Sequence, residues 1–281
     1  AITSVAAMPA WQEEMLADAP DTALHTTGSR GVFFGYDFHA AGDNVGLIEI
    51  NTNAGGALLN AVVARAHRAC CPEIEELVPP PTAADPLEEA IVAMFREEWR
   101  LFSAAVPGGA GAARPLASIA IVDDAPETQY LYPEFLLTQK LLRKAGIDAI
   151  IVDPRTLDLA NGALVHSGRQ IDFIYNRLVD FAFELPDHEA VRRAYETGAA
   201  VVTPNPHNHA ILADKRNLTV LSDATALEAL GVADAARKVH SAVPRTVLVT
   251  SSNAAALWQA RKQLFFKPTR GHGSKAVYRG D

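Results

Sequence analysis

The sequence predicts an α/β protein built on a mainly parallel sheet, and three observations carry that prediction. From Ser118 onward, short apolar runs alternate with amphipathic stretches, the order in which parallel sheets and their crossover helices appear along a chain. Upstream, residues 33–39 and 46–52 flank Gly42-Asp43 in the pattern of a hairpin. Downstream, a glycine-rich loop stands between two short apolar runs near residue 270.

Composition narrows the function classes. The chain has 281 residues, 49% hydrophobic and 21% charged, the profile of an ordinary globular protein with ample material for cores. A net charge of -8 argues against general nucleic-acid binding and against a membrane-surface role. A polyanionic ligand would need a local basic cluster to overcome that field. Cys70 and Cys71 are adjacent and offer neither a disulfide framework nor a zinc spacing. No apolar run approaches the roughly 18 residues of a membrane span. The first residues lack the basic and apolar regions of a signal peptide, so a cytoplasmic location is expected.

The elements follow in order. Residues 1–77 read as a short helix, the hairpin and a helix ending near Cys71-Pro72. Residues 78–115 hold a Pro-rich joint (Val78-Pro79-Pro80-Pro81), a helix over 85–105 and a linker (Pro107-Gly108-Gly109-Ala110-Gly111). Leu87, Ile91, Met94, Phe95, Trp99 and Phe102 recur at helical spacing and form a docking face. Residues 116–210 are the α/β block. Its strands are expected at 119–122, 147–152, 171–175 and 200–203, with a helix over 133–145 capped by Gly146 and another running from an N-cap at Asp187 to Gly198. No G-x-G-x-x-G follows any of these strands, which disfavours a nicotinamide-dependent oxidoreductase. Residues 211–281 carry a helix, a strand over 264–266, the glycine-rich loop and a strand over 276–278.

The hairpin is the most informative segment. A turn at Gly42-Asp43 sets Asp37 opposite Glu49 and Gly35 opposite Asn51. Phe34, Tyr36, Phe38, Ile48 and Ile50 then share the other face, expected to be core. Two facing carboxylates weaken a hairpin unless a cation lies between them. Asp37, Glu49 and Asn51 are hard oxygen donors, the set expected for Mg²⁺ that also holds substrate phosphates; a solvated polar face is the plainer alternative. Asn53-Ala54-Gly55-Gly56 enters the following helix and is read as offering backbone N–H groups to an anion. Zinc on His39 is disfavoured, because no second histidine or cysteine lies at ligand spacing.

The segment Phe266-Lys267-Pro268-Thr269-Arg270-Gly271-His272-Gly273-Ser274-Lys275 is not a Walker A loop. Lying between two short strands, it reads as a flap. Such a flap lays N–H groups and the Ser274 hydroxyl over phosphates while Lys267 supplies a point charge.

With Ala213-Asp214-Lys215 upstream of Phe266-Lys267-Pro268, and with the hairpin's Asp37-Phe38 and Glu49-Ile50-Asn51-Thr52, the chain resembles the ATP-grasp fold. The metal motif comes first here rather than last, so the resemblance is to the circularly permuted ATP-grasp family, glutathionylspermidine synthase-like, with a Rossmann-like pre-ATP-grasp domain over residues 116–210. The resemblance implies that Lys215, Lys267, Gly271, Gly273 and Ser274 bind ATP and that Asp37, Glu49 and Asn51 hold Mg²⁺. It further implies ATP-dependent joining of a carboxylate to an amine, on small-molecule or peptide substrates, through an acyl-phosphate. Two departures stand beside it. Gly35 occupies the place where many such ligases have an arginine, and no counterpart of the strand and hinge that cradle adenine is legible between Ala1 and Asp281. The alternative is therefore a catalytically inactive nucleotide-binding or interaction protein of the same fold.

Two further expectations concern geometry. Arg177 ends the apolar run 171–175, where open α/β sheets present ligands. It is read either as a catalytic fork for the substrate carboxylate or as a structural partner of Asp180 or another acid. A shared site also requires the acidic hairpin and the two lysines to meet, with the ammonium groups on the order of 10 Å from the carboxylates.

Overall fold

The apolar runs after Ser118 become strands because both faces of their sheet are covered, so every position is rewarded for being apolar. The structure, a computed structural model, describes residues 2–42, 44–70, 86–106, 114–232, 239, 241–269 and 277–280. Strands in chain order are β1 (Gly35–Ala41), β2 (Asn44–Asn51), β3 (Ser118–Val122), β4 (Asp148–Val152), β5 (Leu157–Ala160) and β6 (Ala163–His166). They continue with β7 (Arg169–Gln170), β8 (Phe173–Asn176), β9 (Val201–Thr203), β10 (Phe265–Phe266) and β11 (Tyr278–Arg279). The fold is mixed α/β, with one parallel sheet and several antiparallel ones. No helix among the described residues is long and apolar enough to cross a membrane.

Two compact units divide the chain, and they cut across the four sequence blocks. The first comprises Ala1–Pro20, Gly35–Thr52 and Asn208–Asp281; the second comprises Asp21–Phe34 and Asn53–His207.

The second unit holds the parallel sheet, in the order β4-β3-β8-β9. On one face, Ile119, Ile121, Phe173 and Tyr175 pack with Phe135 and Leu142 of the helix Tyr132–Lys144. Ile91, Phe95, Trp99 and Phe102 of the helix Pro86–Ala105 join the same cluster. The apolar stripe read as a docking face is therefore core of this unit, and only Leu87 at its start is exposed. On the other face, Ala120, Val122, Ile174 and Val202 pack with Val191, Ala194 and Tyr195 of the helix Glu189–Thr197. Asp187 is not that helix's N-cap. It lies in the 3₁₀ turn Pro186–His188, and the N-cap residue is His188, whose ring is engaged by Asp124 and Asp180 and makes no capping bond.

A feature absent from the sequence reading is the antiparallel sheet β5-β6-β7. Its turns are Asn161-Gly162 (φ 52° and 77°) and Ser167-Gly168 (φ 50° and 75°). Two-residue turns with both φ positive match the strand twist, and Asn-Gly is their strongest sequence sign.

In the first unit, β1 and β2 pair antiparallel with Asp37 opposite Glu49 and Gly35 opposite Asn51. Beyond Asp37 the register shifts, and Phe38 pairs with Leu47. The shift leaves Ile48 as an extra residue, a β-bulge that breaks the two-residue alternation. The expected apolar face is corrected accordingly. Leu47 and Ile50 are buried three residues apart, while Phe38, opposite Leu47, is 56% exposed. The Trp11 indole, on the helix Pro9–Leu16, donates to the Ile211 carbonyl (2.9 Å) and anchors the segment that carries Lys215. β10 and β11 pair antiparallel around the glycine-rich segment.

Candidate functional site

Within the first unit the hairpin meets both lysines. Asp37, Glu49 and Asn51 share one face of the ribbon, and the Asn51 amide donates to Asp37 Oδ2 at 3.4 Å. Lys215 Nζ lies 3.1 Å from Glu49 Oε1, with the two side chains 13% and 22% exposed. Lys267 Nζ donates to the carbonyl of Ile48 at 3.3 Å. Ile48 is the bulge residue, so the irregularity in β2 supplies the carbonyl that Lys267 finds. The two lysine segments are also tied to each other, through a hydrogen bond from Lys215 N–H to the Thr269 carbonyl (3.2 Å).

The Lys215–Glu49 contact is closer than the ligand-based estimate of about 10 Å. The reason is electrostatic. A carboxylate facing another gains from a nearby cation, and the Glu49 carboxylate takes the Lys215 ammonium. On either side of Lys215, Asp214 accepts three hydrogen bonds from Arg216 (backbone N–H 2.9 Å, guanidinium 3.0 and 2.8 Å), and Arg216 also lies 3.6 Å from Asp18.

As a donor set, two carboxylates and one amide suit a hard divalent cation such as Mg²⁺ and do not suit zinc. Among the described residues there is no group of three or more His, Cys, Asp or Glu side chains able to hold a metal. Gly271, Gly273 and Ser274 of the flap lie outside the described residues.

Two N–H groups in the first turn of the helix Ala57–Cys70 are taken up by the protein itself. The carboxylate of Glu134, itself buried, accepts from Leu58 N–H (3.0 Å) and Leu59 N–H (2.9 Å). An internal anion therefore fills the position that a helix N-terminus would present to a phosphate. Gly55 is needed for a different reason. A Cβ there would stand 2.6 Å from a Leu131 methyl and 3.1 Å from the Arg177 guanidinium.

Arg177 belongs to the second unit and is only 6% exposed. Its fork donates to the carbonyls of Asn53 (3.2 Å) and Ala54 (3.0 Å) and to the Tyr175 hydroxyl (3.3 Å). The guanidinium also lies over the Tyr175 ring, 5.4 Å from its centroid. The side chain of Asn53 returns the contact by donating to the carbonyls of Arg177 and Leu178. Arg177 thus clamps the loop 53–56 to the end of β8, and its partners are backbone carbonyls rather than Asp180.

Around it lies the point where the sheet's winding reverses. The chain leaves β3 toward β4 on one side, and leaves β8 toward β9 on the other. Asp123 follows β3 and is buried; burial pushes its carboxyl up to about 6, against the hydrogen bond from Asp124 N–H and the charge of Arg177. Nearby, His188 is bound on both ring nitrogens, by Asp180 (2.8 Å) and Asp124 (3.0 Å). Burial works against its charge, but these two carboxylates together hold its pKa above the ordinary histidine value. Asp123, Glu134 and His188 escaped the sequence reading, since no local motif marks a residue whose partners lie in other elements.

No protein-family model matches this chain, and no curated protein matches it.

Proposed function

We propose that this protein binds ATP and Mg²⁺ in its first unit and acts as a carboxylate–amine ligase of the circularly permuted ATP-grasp kind. The observation that supports the reading is the meeting of Asp37, Glu49 and Asn51 with Lys215 and Lys267, residues from three distant parts of the sequence. An ordinary hairpin gives no reason for two lysines from elsewhere in the chain to converge on it, one on Glu49 and the other on the carbonyl of Ile48. In this reading the hairpin's three oxygen donors hold the metal, and the lysines take the phosphates. Bound Mg²⁺ supplies charge neutralisation on the transferring phosphoryl group. The chain's own task is positioning: Lys215 and Lys267 orient the triphosphate, and Gly271, Gly273 and Ser274 are assigned to the same ligand by the resemblance. The substrate carboxylate takes the γ-phosphoryl group of ATP with release of ADP, and the amine then attacks the acyl-phosphate carbonyl, loses a proton and displaces phosphate to form the amide.

A second reading, nucleotide binding without ligation, is favoured by two observations. Gly35 brings no side chain opposite Asn51, and the fork of Arg177 is already committed to backbone carbonyls. Two measurements test both. Calorimetric titration with Mg–ATP is expected to show binding that Glu49→Gln weakens at least tenfold, with apo stability unchanged or improved. Unchanged affinity would remove Glu49 from the metal site. ATP hydrolysis that rises only when both a carboxylate and an amine are added supports ligation; binding without such turnover supports the second reading.

A further inference from the structure

Two charges assigned to different ligands are bound to each other. Lys215 is assigned to phosphate and Glu49 to metal, yet their side chains form a largely shielded ion pair at 3.1 Å. Lys267 and Asp37 are otherwise engaged, the first on a backbone carbonyl and the second by Asn51. Within each assigned pair, then, one member is locked in the Glu49–Lys215 bond and the other is not.

We infer that the Glu49–Lys215 pair is a placeholder that makes metal binding and nucleotide binding mutually dependent. The inference rests on the nucleotide reading above. A divalent cation arriving alone must compete with Lys215 for Glu49 and break their ion pair. A triphosphate arriving without metal must draw Lys215 away, leaving Glu49 facing Asp37 with no cation between them. Each ligand alone bears the cost of breaking the pair, and the two together bear it once. That is a positive coupling, equal in both directions by linkage, and such couplings run at roughly 5–150-fold. The bulge at Ile48 keeps Lys267 out of this exchange by giving it a carbonyl one residue from Glu49. The consequence for function is that metal-free ATP and stray divalent ions are both poorly retained, and the site fills with the complex.

The test separates the contact from the general field by pairing variants of equal charge. Lys215→Met and Lys267→Met each remove one positive charge, but only the first frees a carboxylate. Mn²⁺ alone, followed by the loss of its free-ion paramagnetic signal, is expected to bind about tenfold or more tighter to Lys215→Met than to wild type. The change in Lys267→Met should be under about threefold by the same linkage. The reciprocal arm uses ATP in excess EDTA: Glu49→Gln should bind it several-fold tighter than Asp37→Asn. Lys215→Gln repeats the first arm if the methionine variant does not fold, and either arm alone decides. Matched effects within each pair, with wild type still binding Mg–ATP, would overturn the placeholder while leaving the nucleotide reading standing. Failure of wild type to bind Mg–ATP would overturn that reading, and the placeholder with it.

Discussion

Replacing Arg177 with lysine keeps the charge and removes the fork, so the change separates a structural clamp from a substrate contact. In the folded protein the guanidinium reaches the carbonyls of Asn53 and Ala54, the Tyr175 hydroxyl and the face of the Tyr175 ring. A hydrogen bond from a charged donor to a buried acceptor is worth about 1.5–3 kcal/mol, and a lysine ammonium reaches at most one of the two carbonyls. Adding a partial loss of the cation–π contact, Arg177→Lys is expected to lower unfolding free energy by roughly 2–4 kcal/mol. Urea denaturation followed by circular dichroism and tryptophan fluorescence measures this directly, with Trp99 reporting from the same unit. Proteolysis within residues 53–56 should also become faster, because the clamp holds that loop. A loss below about 0.5 kcal/mol, combined with a higher KM for a carboxylate substrate at unchanged ATP affinity, would refute the clamp and restore Arg177 to substrate binding.

Three more outcomes follow from buried charges in the second unit. Glu134→Ala leaves Leu58 and Leu59 N–H without their acceptor and should cost about 2–5 kcal/mol, with faster hydrogen exchange at those two amides; unchanged exchange would show that another group caps the helix. Asp123 has a folded pKa of about 6 against an ordinary 3.8, so the folded state binds its proton more tightly and stability falls as pH rises between those values. Relative to wild type, Asp123→Asn should therefore gain on the order of 3 kcal/mol between pH 4 and pH 7, and parallel urea midpoints across that range would contradict the burial argument. His188 has the opposite charge type and a raised pKa, so its contribution is complete below the ordinary histidine value and is lost as pH rises through the raised one. His188→Gln should flatten the decline in stability above neutrality, a difference visible in denaturation midpoints from pH 6 to pH 9.

Local pattern alone determined much of this protein. Alternating apolar runs set β3, β4, β8 and β9, and helical spacing set the buried stripe from Ile91 to Phe102. Turn position set Asp37 against Glu49. These features are legible because each depends on residues near one another in the chain, read with a period of two or of 3.6. The Asn161-Gly162 turn was equally local and equally legible, though the strands beside it are too short to stand out. Tertiary structure alone decided which partner each charged group takes. The N–H groups of Leu58 and Leu59 met Glu134, the fork of Arg177 met two carbonyls, and the Glu49 carboxylate met Lys215. A sequence shows that a donor or a charge exists and needs a partner. It does not show which of several competing groups, dozens or hundreds of residues away, the fold brings within 3 Å, because that depends on how whole elements pack rather than on the spacing within any one of them.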